Sequence, residues 1–179
     1  MQNDCIGIIP FYTANFCLPR SVQPQYVLYM QVSGEHILNA SPSIVWAMLM
    51  DMDTLVKVMP GISHLEKTGD NSYKSTFEIK LGPVNGSFTG NLLLGDLKEP
   101  SGFTLRVSQS NTMGNANSVI KISLLPVDNN QTAIAFDGDV KLYGLLAGIG
   151  QRVIGGVLKT LAKQFFENME KELGKELVH

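Results

Sequence analysis

The chain has 179 residues, of which 44% are hydrophobic and 17% charged, with fourteen basic and sixteen acidic side chains and a net charge of −2. A single domain of this length buries roughly 68–70% of its unfolded surface without disulfide staples, and the apolar content excludes a disordered chain. The slightly acidic balance excludes the basic surface of a nucleic-acid-binding protein, so no nucleic-acid partner is expected. The charged fraction lies below the usual value of about 25%, which leaves more apolar side chain than a minimal core requires.

Cysteine and histidine are scarce. Cys5 and Cys17 lie in the first seventeen residues, and the histidines are His36, His64 and His179. Residues 30–179 therefore exclude thiol catalysis and cysteine-based metal sites, and no metal or cofactor is expected. The uncharged run from Cys5 to Pro19 is short and broken by Pro10, and it lacks the basic start of a secretory signal. A second apolar region, Leu142 to Leu158, is interrupted by Arg152 and by glycines. These features predict a cytoplasmic protein without a membrane span.

Residues 1–29 show no sustained periodicity and read as an N-terminal extension of unassigned role. The body is expected over 30–174, with a short tail at 175–179. It opens with a strand, Met30 to Leu38. Ser41 then offers an N-cap and Pro42 a first helical residue, and Ile44, Val45, Met48 and Leu49 recur at helical spacing. A second short helix is predicted from Asp53 to Met59, ended by Pro60-Gly61.

From Ile62 to Leu142 the period is two. Phe77, Ile79 and Leu81 alternate with Glu78 and Lys80. The alternation continues through Val84, Phe88, Leu92 and Leu94, then Phe103, Leu105 and Val107, then Ile120, Ile122 and Leu124, then Ile134, Phe136, Val140 and Leu142. Such a pattern marks antiparallel strands with one buried and one wet face. Turn clusters such as Gly82-Pro83 and Glu99-Pro-Ser-Gly102 separate them. A long helix, from about Leu145 to Leu173, closes the chain. The predicted class is α+β: a curved antiparallel sheet of six to seven strands, two short helices and a long C-terminal helix gripping the apolar face.

The two periodicities select an inward set. On the strands it comprises Phe77, Phe88, Leu92, Leu105, Ile122, Phe136 and Val140. On the last helix it comprises Leu146, Gly150, Val153 and Val157. A second apolar helical face, Leu158, Leu161, Ala162, Phe165 and Met169, is rotated from the first by roughly 100°, with Gly155-Gly156 as a bend between them. Gly148, Gly150, Gly155 and Gly156 each cost about 1 kcal/mol in a helix relative to alanine. Two readings stand: space beside a cavity, or close packing of helix backbone on the sheet.

Catalytic signals are weak. Asp137 and Asp139 share the wet face of a strand. Asp51 and Asp53 sit at helix boundaries, and His36 and His64 read as structural or surface residues. No nucleophile elbow is present. Gly148-Ile-Gly150 fails as a dinucleotide loop, because Val153 stands where the third glycine is needed. Arg152, Lys159 and Lys163 form one basic side of the last helix, able to approach anionic lipid.

Ala40-Ser-Pro-Ser-Ile-Val-Trp-Ala-Met-Leu-Met-Asp51, Met59-Pro-Gly-Ile62 and Leu65-Glu-Lys67 resemble the N-terminal signature of the carbon monoxide dehydrogenase G-subunit family, of the START-like helix-grip superfamily (SRPBCC). Lys80-Leu-Gly-Pro-Val84, Phe88-Thr-Gly90 and Pro100-Ser-Gly-Phe103 are similar to its central strands. Ile149-Gly-Gln-Arg-Val-Ile-Gly-Gly156 and Leu161-Ala-Lys-Gln-Phe-Phe166 are similar to its last helix. The resemblance implies an apolar cavity between sheet and helix. It also implies an accessory role toward a molybdenum hydroxylase such as carbon monoxide dehydrogenase, and a hydrophobic ligand, lipid or quinone-like, with peripheral contact at the inner face of a membrane. The resulting expectation is a non-enzymatic binding protein, the inward set above supplying its ligand-binding residues. Its rivals are a cyclase or hydrolase using the same cavity, and a solidly packed interaction module.

Overall fold

A computed structural model describes residues 26–128 and 130–176. The expectations for residues 1–25, including Cys5 and Cys17, and for the last residues of the tail lie outside it. Seven strands and four helices follow in the order β1 (Val27–Leu38), α1 (Pro42–Met50), α2 (Met52–Val58), β2 (Ile62–Gly69), β3 (Ser72–Leu81), β4 (Val84–Lys98), β5 (Gly102–Asn111), β6 (Gly114–Asp128), β7 (Gln131–Tyr143), α3 (Leu145–Gly148) and α4 (Gln151–Glu176). The strands form one sheet in the order β1-β7-β6-β5-β4-β3-β2, and every pairing is antiparallel. This is the predicted meander, with the first strand returning to pair with the last. β1 begins at Val27, three residues ahead of the expected start.

Local chemistry accounts for the helix starts. Pro42 occupies the first turn of α1, where its missing N–H costs nothing. Ser41 holds the N-cap position, but its side chain makes no capping bond. Asp51 ends α1 and caps α2, its Oδ2 accepting from the Thr54 amide at 2.9 Å and the Thr54 hydroxyl at 2.6 Å. These bonds favour the carboxylate and hold its pKa below the ordinary value.

One face of the sheet is buried against the helices. A cluster at one end joins Leu38, Val45, Trp46, Leu49 and Val58 to Phe103, Leu124, Ile134, Phe166, Met169 and Leu173. Trp46 meets Phe103 edge-on at 5.9 Å. A second cluster joins Met30, Val84, Phe88, Val140 and Leu142 to Leu146 and Ile154. Polar ties hold α4 in place: Asn168 Nδ2 donates to the Val58 carbonyl at 3.1 Å, and His36 Nε2 lies 2.8 Å from Glu170 Oε1. The His36 ring stacks on Phe166, which gives this histidine the structural role its place on β1 suggested.

The last helix departs from expectation at its start. Leu145–Gly148 is a separate turn, and Gly150 stands outside both helices with a φ of +94°. That backbone conformation is open to glycine and strained for other residues. The break resets the helical phase. Periodicity carried through Gly150 places Val153 inward, whereas the observed helix turns Ile154 inward and leaves Val153 42% exposed. A Cβ at Gly150 would meet open space, so its missing side chain makes no room against the sheet. α4 runs uninterrupted through Gly155 and Gly156.

Candidate ligand cavity

The two core clusters leave the middle of the interior unfilled. A cavity of about 400 Å³ lies there, walled by the inner face of the sheet, by Met59 and Pro60 after α2, and by Leu146 and α4. Its size falls within the roughly 300–1,000 Å³ of small-molecule sites. An engineered cavity of about 150 Å³ accommodates benzene, so this one takes two to three units of that bulk.

Alternation supplies most of the wall. Phe77, Ile79, Phe88, Leu105, Ile122, Phe136, Val140 and Leu142 line it from the strands. Ile154, Val157, Leu158, Leu161, Ala162, Phe165 and Phe166 line it from α4. Of the inward set selected from sequence, Phe77, Phe88, Leu105, Ile122, Phe136, Val140, Leu146 and Val157 meet at this wall. Three members do not. Leu92 is buried on the correct face but lies outside the cavity wall. Gly150 and Val153 are displaced by the helix break. The residues that replace them are the second apolar face of the helix, which continues the phase set by Ile154.

The described wall residues are apolar apart from Gln109, Asn117 and Ser118, and none of them ionises. Gln109 is 7% exposed. Its Nε2 donates to the hydroxyl of the fully buried Ser75 at 2.7 Å, while its Oε1 is buried with no partner. A buried acceptor left unpaired costs about 1–3 kcal/mol. Gly90 makes the Gln109–Ser75 bond reachable, because β4 places it directly between Gln109 on β5 and Ser75 on β3. A Cβ at Gly90 would collide with the Ser108 carbonyl oxygen. The sequence carried a signal for this group. In the apolar phases Tyr73-x-Ser75-x-Phe77, Phe88-x-Gly90-x-Leu92 and Leu105-x-Val107-x-Gln109, one member of each is small or polar. Only the register shows that the three exceptions form one row.

The outer face of the same sheet carries a wider depression of different chemistry. Tyr29, Asn91, Arg106, Asn117, Asp139, Lys141 and Tyr143 line it, with Leu93 and Val119. Asp139 accepts from the Tyr29 hydroxyl and, with some burial, pushes the Tyr29 pKa above its ordinary value. Lys141 Nζ sits 5.5 Å above the Tyr29 ring. The alternation placed Asp137 and Asp139 on this wet face; Asp137 is exposed, whereas Asp139 is half-buried and its Oδ1 has no hydrogen-bond partner. Among the described residues no group of three or more acidic, His or Cys side chains can hold a metal ion. No helix there is long and apolar enough to cross a membrane.

A curved antiparallel sheet gripped by a C-terminal helix over an apolar cavity defines the START-like class. A START superfamily protein from Mycobacterium smegmatis superposes with a TM-score of 0.66 at 12% identity, covering 81% of this chain and 97% of that one. The aromatase/cyclase ZhuI from Streptomyces sp. R1128 superposes with a TM-score of 0.62 at 12% identity, covering 84% and 96%. Both likenesses are of fold. A conserved protein from Geobacillus kaustophilus is nearer, at 31% identity with a TM-score of 0.79, covering 82% and 96%. Within the class, the chain belongs to the carbon monoxide dehydrogenase G-subunit (CoxG) family, whose model matches residues 34–174. No curated protein matches the sequence.

Proposed function

We propose that this protein is a non-enzymatic binding protein for a hydrophobic, lipid- or quinone-like ligand, and that it serves as an accessory to a molybdenum hydroxylase of the carbon monoxide dehydrogenase kind. The observation that carries the ligand reading is the cavity of about 400 Å³ walled by aliphatic and aromatic side chains. Transfer of apolar surface into such a space is favourable by about 25 cal/mol per Å² and needs no charged group. The accessory role rests on family membership. The proposed location is the cytoplasm, in peripheral contact with the inner face of the membrane. The exposed Arg152, Lys159 and Lys163 on α4 offer a basic face for anionic lipid.

The cyclase or hydrolase alternative draws on the ZhuI likeness, but that likeness is of fold. General acid–base work needs a titratable group within hydrogen-bond reach of the reacting atoms, and the described wall is uncharged. A solid interaction module is disfavoured by the unfilled volume between the two core clusters. The test is organic extraction of the purified protein followed by mass spectrometry. Recovery of one lipophilic molecule per chain is expected. Purified protein that yields none, and takes up none from lipid or quinone dispersions, would sink the carrier reading.

A further inference from the structure

We infer that the outer depression of the sheet is a second binding site, separate from the apolar cavity, and that its ligand is a small organic anion, a carboxylate carried on a flat apolar body. The inference does not depend on what the cavity holds. The depression has a volume of about 510 Å³, within the range of small-molecule sites. β6 runs through its middle. Lys141 on β7 and Arg106 on β5 flank that strand, Lys141 opposite Asn117 and Arg106 opposite Val119. Two exposed cations therefore face one concavity from opposite sides of β6.

Neither cation is neutralised within the protein. The ion pairs among the described residues are His36–Glu170, His64–Glu66, Lys163–Glu167 and Lys175–Glu172, and none of these residues lines the depression. Lys141 Nζ has only the Tyr29 ring, at 5.5 Å. The acid of the depression, Asp139, is engaged by the Tyr29 hydroxyl, and its Oδ1 is buried. Exposed cations alone hold an anion weakly in water. Here they share an apolar floor. Leu93 and Val119 flank Arg106 across the strands, and they are 45% and 49% exposed. A flat aromatic carboxylate uses both features, its ring against Leu93, Val119 and the Tyr29 ring, its oxygens toward the guanidinium fork and the ammonium. The inner cavity offers such a ligand no positive charge, because its described wall is uncharged.

The experiment uses the full chain and three probes: 2-naphthoate, its neutral isostere 2-naphthamide, and acetate, which keeps the charge without the ring. Binding is followed by NMR amide shifts, which give both affinity and place. The wild type is expected to bind naphthoate about fivefold or more tightly than either other probe, the charge contributing through two exposed contacts. Shifts should centre on Arg106, Val119 and Lys141, and added salt should weaken naphthoate but not naphthamide. Arg106→Gln and Lys141→Gln should each lower naphthoate affinity about two- to fivefold, leaving naphthamide and uptake of nonylbenzene by the cavity unchanged. Both side chains are exposed, so both variants should fold as the wild type does. Naphthoate that fails to bind at millimolar concentration, binds no better than naphthamide, shifts only residues of the cavity wall, or binds both variants as it binds the wild type would overturn the site. Each of those results leaves the carrier reading standing, since that reading is decided by nonylbenzene uptake alone.

Discussion

The two faces of the sheet are made by the same strands, one residue apart, yet they solve opposite problems. On the outer face Tyr29, Lys141 and Arg106 are exposed to water, so charge is cheap and individual contacts are worth little, although Asp139 Oδ1 is buried there without a partner. On the inner face water is displaced by Phe88, Phe136, Phe165 and their neighbours, and one amide oxygen without a partner carries weight. The difference shows why the inner face, though nearly featureless chemically, is the better candidate site. A hydrophobic ligand gains from burial there and needs no charged partner.

The sharpest break of this contrast is a pair of truncations. Phe88→Ala removes a ring from the second core cluster and should cost about 3–5 kcal/mol. Val119→Ala on the outer face, where Val119 is 49% exposed, should stay within about 0.5 kcal/mol. Urea unfolding of the two variants checks this, and comparable losses would contradict the inside–outside assignment.

Gly150→Ala probes the helix break. The new Cβ meets open space, but the positive φ strains any L-residue, at about 1–3 kcal/mol. Stability should fall while uptake of a lipophilic ligand per folded molecule stays unchanged. A variant that melts with the wild type would show that Gly150 continues the helix after all.

Ala162→Leu adds apolar volume at the cavity wall from α4, where alanine and leucine have nearly the same helix propensity. In a solid core the added bulk would cost about 1–3 kcal/mol. With an unfilled cavity the ligand-free melt should stay level or rise, and ligand uptake should fall. A clear drop in the ligand-free melting temperature would argue for a packed interior.

The smallest effect lies away from the cavity. The Asp51 carboxylate is stabilised by Thr54, so its folded pKa lies below its unfolded value. Its contribution is therefore present above the unfolded pKa and is lost as pH falls through the lower, folded one. Asp51→Ala should lower the melting temperature by a few degrees at neutral pH, and the gap to the wild type should close in acid. A gap that is constant with pH would show that the cap does not depend on the charge.

Much of this was legible without coordinates, because alternation and helical spacing are local. The period of two in residues 62–142 specified the sheet and its inward face, and it placed Phe77, Phe88, Leu105, Ile122, Phe136 and Val140 correctly at the wall. Pro42, Asp51 and Pro60-Gly61 punctuated the two short helices for equally local reasons. What the tertiary structure decided was phase and adjacency. A glycine reads the same in a helix and in a break, so the sign of φ at Gly150, and with it the choice of Ile154 over Val153, came only from how the chain enters α4. Ser75, Gly90 and Gln109 stand far apart along the chain and look like unrelated lapses in three apolar patterns. Cross-strand register sets them side by side, since pairing between strands is a long-range property that no local period encodes.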